Sequence, residues 1–73
     1  MCHKVWEVQN QDGDLQATIV CKTHGQRLTI PRVPASLILD FVQTVELAFA
    51  DKPEVLKQFN EELYRAFPAL RAN

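Results

Sequence analysis

The dipeptide Asp12-Gly13 limits the fold of this chain more than any other feature. A two-residue type I′ turn needs positive φ at both central positions, and Asp-Gly supplies that at low steric cost. With the turn placed there, Trp6 faces Ile19, Val8 faces Ala17 and Lys4 faces Cys21. Side chains alternate across a pleated strand, so Trp6, Val8, Leu15, Ala17, Ile19 and Cys21 share one face. Val5, Glu7, Gln9, Gln16, Thr18, Val20 and Lys22 take the other. His24-Gly25 marks a second turn. Centring it there pairs Cys21 with Leu28 and Ile19 with Ile30, so Leu28 and Ile30 join the apolar face while Arg27 and Thr29 join the polar one. Two separate turns that agree on one apolar face support a three-stranded antiparallel meander, with strands over 3–10, 15–22 and 26–31.

The Pro-flanked joint Pro31-Arg32-Val33-Pro34 then divides the chain. Pro34 suits the first turn of a helix, where its missing N–H would be unpaired anyway. Over 35–50, Ile38, Phe41, Val42, Val45 and Phe49 recur at helical spacing, while Leu37, Leu39 and Leu47 fall outside that stripe. A helix apolar on more than one side calls for more than one partner. Asp51 is the expected N-cap of a second helix over 52–67, with Pro53 in its first turn and Glu54 completing a capping-box-like arrangement. Leu56, Phe59, Leu63, Ala66 and Phe67 form its apolar stripe, and Pro68 stops it. The expected fold is α+β: a three-stranded antiparallel meander followed by, and packed on, a two-helix hairpin. The whole of 1–73 reads as one domain, comprising a meander over 1–31, a helical hairpin over 34–67 and a frayed tail over 68–73.

Charge narrows the class of function. The net charge is −1, and neither half has the basic excess that displaces phosphate counterions, so direct nucleic-acid binding is not expected. No apolar run reaches the length of a membrane span, and the polar N-terminus does not read as a signal peptide. The expected location is the cytoplasm, with both cysteines reduced. The two glycines are absorbed by the turns, which leaves no phosphate-binding loop. Glu61 and Glu62 are neighbours on a solvated helix face rather than a converging pair. The chain is therefore expected not to be an enzyme.

One grouping could carry chemistry. Both cysteines and both histidines fall in the first third, as Cys2-His3 and Cys21-Lys22-Thr23-His24, and together they form a zinc donor set. A regular hairpin places Cys2 and Cys21 inside and His3 and His24 outside. Zinc therefore requires the strands to break at 2–3 and 22–25. The competing expectation makes the cysteines small buried hydrophobes and the histidines surface polar groups. A Cys2–Cys21 disulfide is disfavoured by the diagonal geometry and by the expected compartment.

The polar sheet face is the expected docking surface. Val5 beside Val20 forms an apolar pair ringed by Glu7, Gln9, Lys22 and Arg27, with Lys4 alongside. Strand 4–9 is an edge to which a partner could add a strand. Trp6 is read as a core anchor opposite Ile19.

Two resemblances bear on function. Phe49-Ala-Asp51-Lys-Pro53-Glu54-Val55, followed by Phe59 and Leu63, looks like the middle of the paired amphipathic helix domains of Sin3-type corepressors, four-helix bundles that clasp a partner helix. The strand-forming first half departs from that fold, so the function does not carry over. In size and make-up, though by no motif, the chain is similar to small phage-encoded regulators that bind host RNA polymerase, blocking initiation or promoting antitermination. The leading expectation is a small non-catalytic regulator that acts by protein–protein binding, with RNA polymerase as the partner the resemblance implies and no cofactor. The alternative is a zinc-stapled adaptor using Cys2, His3, Cys21 and His24. A homo-oligomer formed through Leu37, Leu39 and Leu47 is a third.

Overall fold

The structure, a computed structural model, describes residues 3–70. Strand β1 (Lys4–Gln11), β2 (Asp14–Cys21) and β3 (Gln26–Thr29) form one antiparallel sheet in that order. A short 3₁₀ turn, Ala35–Leu37, leads into α1 (Ile38–Ala48), and α2 (Pro53–Ala66) follows. The fold is the expected α+β arrangement, with the two helices packed on part of one sheet face.

The first hairpin has the register that its turn dictates. Lys4 lies opposite Cys21, Trp6 opposite Ile19 and Val8 opposite Ala17. Asp12 has φ of 56° and Gly13 of 94°, the pair of positive angles that a type I′ turn requires. The Asn10 side chain accepts from the Gly13 N–H at 2.8 Å and braces the turn.

The second hairpin differs from expectation. Its loop is the four residues 22–25, not a two-residue turn centred on His24-Gly25. Cys21 lies opposite Gln26 and Ile19 opposite Leu28, a register two residues away from the expected one. The loop closes through Gly25 N–H donating to the Cys21 carbonyl at 2.7 Å, and Gly25 takes the left-handed conformation at φ 69°. A shift of two preserves which face each side chain occupies, so the face assignment survives the register error.

Beyond β3 the pairing continues in altered form. Ile30 N–H donates to the Ala17 carbonyl, and Leu15 and Val33 exchange a pair of bonds at 2.9 Å. One extra residue has entered between these contacts, the signature of a β-bulge, and it falls at Pro31-Arg32. Asp14 fixes the exit from the sheet: one carboxylate oxygen accepts from Ala35 N–H at 3.0 Å and the other pairs with Arg32 Nε at 3.1 Å.

The core lies between the sheet and the helices. Trp6, Val8, Leu15 and Ala17 from the sheet meet Ile38 and Val45 of α1, Phe59 and Leu63 of α2, and Phe67 beyond it. Trp6 is a core anchor, as the sequence suggests, and stands edge-on to Phe41, Phe49 and Phe59 with centroids 6.3, 5.8 and 4.8 Å away. Its buried Nε1–H finds no acceptor among the described residues.

The helix ends depart from expectation in two places. The N-cap of α2 is Lys52 with no side-chain cap, rather than Asp51; the Lys52 carbonyl instead accepts from Val55 and Leu56. The segment expected to fray begins with an ordered 3₁₀ turn, Pro68–Leu70, closed by Leu70 N–H donating to Phe67, and Leu70 packs half-buried on the core.

Candidate protein-binding site

The alternation of antiparallel bonds decides which backbone groups face out of the sheet. Lys22 N–H donates to the His3 carbonyl at 2.7 Å, so the residues of β1 that bond β2 are those in step with His3. Trp6 is out of step, and its N–H and C=O point away from the sheet. Both are taken by one side chain. Gln58 of α2 accepts from Trp6 N–H at 2.6 Å and donates to the Trp6 carbonyl at 2.8 Å, occupying the place of a neighbouring strand. Farther along the same edge, Asn10 Nδ2 donates to the Ala66 carbonyl at 3.3 Å. Helix α2 thus runs along β1 and closes the edge that the sequence offers for strand addition.

The other edge is open. All four residues of β3 are exposed. Ile30 bonds Ala17 inward, so Leu28 does too, and Arg27 and Thr29 present their N–H and C=O groups outward.

The apolar face is only partly covered. The helices reach Trp6, Val8, Leu15 and Ala17, with Ile19 packed half-buried against the core and Cys21 buried beyond it. There Lys4, Ile19, Cys21, Gln26 and Leu28, with Arg27 at the rim, line an open groove of about 480 Å³. Leu28 lies on the apolar face, as the alternation implies, but is 61% exposed. It sits opposite Ile19, and its strand, β3, is the edge strand farthest from β1, against which α2 packs.

The expected docking face is altered in a corresponding way. Val20 is 8% exposed and Val5 half-buried, so the two do not form an exposed apolar pair. Arg27 sits opposite Val20 on β3, Glu7 sits opposite Thr18 on β1, and the two side chains meet at 2.7 Å. Their ion pair crosses the middle strand on the face that bears Thr18 and Val20. Glu7, Gln9, Lys22 and Arg27 are exposed, as expected. Lys4 belongs to the opposite face with Cys21 and lines the groove.

The zinc donor set is redistributed. Cys21 is buried and disulfide-bonded, contrary to the expected free thiol. The only other cysteine in the sequence, Cys2, lies outside the described residues. A disulfide sulfur offers no thiolate to zinc. It also carries no hydrogen, so the 3.2 Å contact between Cys21 Sγ and His24 has Nδ1–H as donor. The four-residue loop carries His24 back to Cys21, where a two-residue turn would have put it on the other face. His3 stays in step with the sheet: its carbonyl takes Lys22 N–H, and its own N–H donates to Thr23 Oγ1 at 3.2 Å. Pairing is therefore unbroken at His3, and among the described residues no three of His, Cys, Asp and Glu gather as a metal site.

Leu37 in the 3₁₀ turn and Leu39 and Leu47 of α1 are exposed, Leu47 at 81%. At about 100° per residue, Leu39 and Leu47, eight positions apart, project about 80° from one another on α1. Among the described residues no helix is long and apolar enough to cross a membrane.

Comparison of the chain with protein-family models, curated proteins and solved structures finds no match.

Proposed function

We propose that this chain is a small non-catalytic regulator that works by binding another protein through the exposed β3 edge of its sheet. The observation that carries this reading is the exposed Leu28 on an unpaired edge strand, beside the groove at Ile19 and Lys4. An apolar residue with free backbone donors and acceptors, ringed by Lys4, Gln26 and Arg27, has the make-up of a small protein interface. Blocking of the β1 edge by Gln58 directs association to one side.

RNA polymerase, the partner implied by the likeness to phage regulators, lies in a reducing compartment. The disulfide at Cys21 supports an oxidising one. Intact mass of the protein taken from its native cells under non-reducing, thiol-blocked conditions discriminates the two. A blocked thiol at Cys21 keeps a cytoplasmic target, whereas a retained disulfide removes it.

The binding reading is tested by affinity capture with wild type and Leu28→Asp. Selective loss of one partner with the variant supports it. Failure of the wild type to retain any partner over a blank matrix counts against it.

A further inference from the structure

The charge around the open edge identifies what pairs with it. No acidic residue occurs between Leu15 and Leu39, a stretch that includes β3, the loop before it and the bulge after it. Lys22, Arg27 and Arg32 lie there, and Lys4 reaches the groove from β1. Among the described residues the ion pairs are Arg27–Glu7, Arg32–Asp14 and Arg65–Glu62, which leaves Lys4 and Lys22 without a carboxylate. The acidic side chains Asp40, Glu46, Asp51, Glu54, Glu61 and Glu62 are all in the helical half. The chain is nearly neutral as a whole but cationic at this end of the sheet.

We infer that β3 accepts, as a fourth strand, an extended acidic segment of a partner protein with apolar and acidic residues in alternation. This rests on the binding function proposed above and names its partner chemistry. The backbone of the incoming strand bonds the outward N–H and C=O groups of Arg27 and Thr29. Alternation sends its apolar side chains to the face that bears Leu28 and Ile19, and its carboxylates to the face that bears Lys22 and the Arg27 already paired with Glu7. A second copy of this chain is the less suited occupant. Antiparallel pairing of β3 with itself about Leu28 makes the two Arg27 side chains diagonal neighbours, and brings two cationic ends together.

The probe is a capped seven-residue peptide alternating valine and glutamate, added to the full 73-residue chain labelled with nitrogen-15. The expected result is saturable shifts confined to Gln26–Ile30 and the groove, with slowed hydrogen exchange at the Arg27 and Thr29 amides. The same peptide with lysine for glutamate should bind roughly tenfold more weakly or worse. N-methylation of the peptide bonds facing β3 should abolish binding, because the ladder bonds are lost. Leu28→Asp, a change at an exposed position, should weaken binding while leaving the amide spectrum dispersed. Equal affinity for the glutamate and lysine peptides, indifference to N-methylation, or shifts mapping elsewhere overturns the proposal. So does protection of Arg27 and Thr29 without peptide in a sample that sediments as a dimer, which would make the occupant a second copy. Failure of these peptide tests alongside successful capture refutes the strand-addition mode alone. Absence of any captured partner refutes the binding function itself.

Discussion

Replacing Gln58 probes how the β1 edge is held. Its amide accepts from Trp6 N–H and donates to Trp6 C=O, and both bonds are part-buried. Each such bond contributes about 0.5–1.5 kcal/mol net, so Gln58→Ala should cost about 2 kcal/mol. In a domain of this size that lowers Tm by about 8–16 °C. Gln58→Glu is the sharper change, because the shape is kept and only the donor is lost. The carboxylate can still accept from Trp6 N–H, but its second oxygen then faces the Trp6 carbonyl oxygen. At neutral pH the variant should be at least as unstable as Gln58→Ala. Protonation restores a donor, so the folded state binds that proton more tightly than the unfolded chain does. The folded-state pKa is thus raised above the unfolded value, and the deficit relative to wild type should shrink as pH falls through the carboxyl range. Urea denaturation of the three proteins over a pH series measures this. If both variants lie within about 0.5 kcal/mol of wild type, or if the Gln58→Glu deficit does not shrink in acid, Gln58 does not act as a surrogate strand.

Phe59 is fully buried against Trp6 and Phe41, and Phe59→Ala should cost about 3–5 kcal/mol, read by loss of near-ultraviolet circular dichroism from Trp6. Gly13→Ala meets no atom within 4 Å but must hold φ at 94°, so it should cost about 1–2 kcal/mol in chemical denaturation through backbone strain alone. Cys21→Ala should cost about 2–5 kcal/mol, and reductant should lower the wild-type Tm while leaving this variant unchanged. Leu47→Glu should leave stability within about 0.5 kcal/mol and sedimentation unaltered; a lower Tm with a changed mass would show that α1 is covered by a second copy.

The first hairpin is readable because its information is local. Asp12-Gly13 admits little else than a type I′ turn, and the pleat carries that register to Trp6 and Cys21 without outside help. The second turn has less to constrain it. A single glycine closes a two-residue or a four-residue loop equally well, and the inner-outer pattern is the same in either register, so the sequence could not distinguish them. The sites were harder to read for the same reason. Val20 appears as an exposed partner of Val5 because alternation puts it on the polar face. It is nonetheless buried, and the strands on either side of it are joined by the Arg27–Glu7 ion pair, a relation with no periodicity. Gln58 gave no signal at all: it reads as one solvated residue of an amphipathic helix until α2 is laid along β1.

By itself the sequence determined the element types, the helical stripes, the first register and the face each strand residue occupies. All of these follow from turn chemistry and from periods of 2 and 3.6, which act over a few residues. Only the tertiary structure decided how far the helices extend over the sheet. That extent leaves Leu28 bare, closes the β1 edge with Gln58 and leaves the β3 edge open. It depends on where α2 lies against β1, a packing relation between residues more than forty positions apart that no short-range pattern encodes.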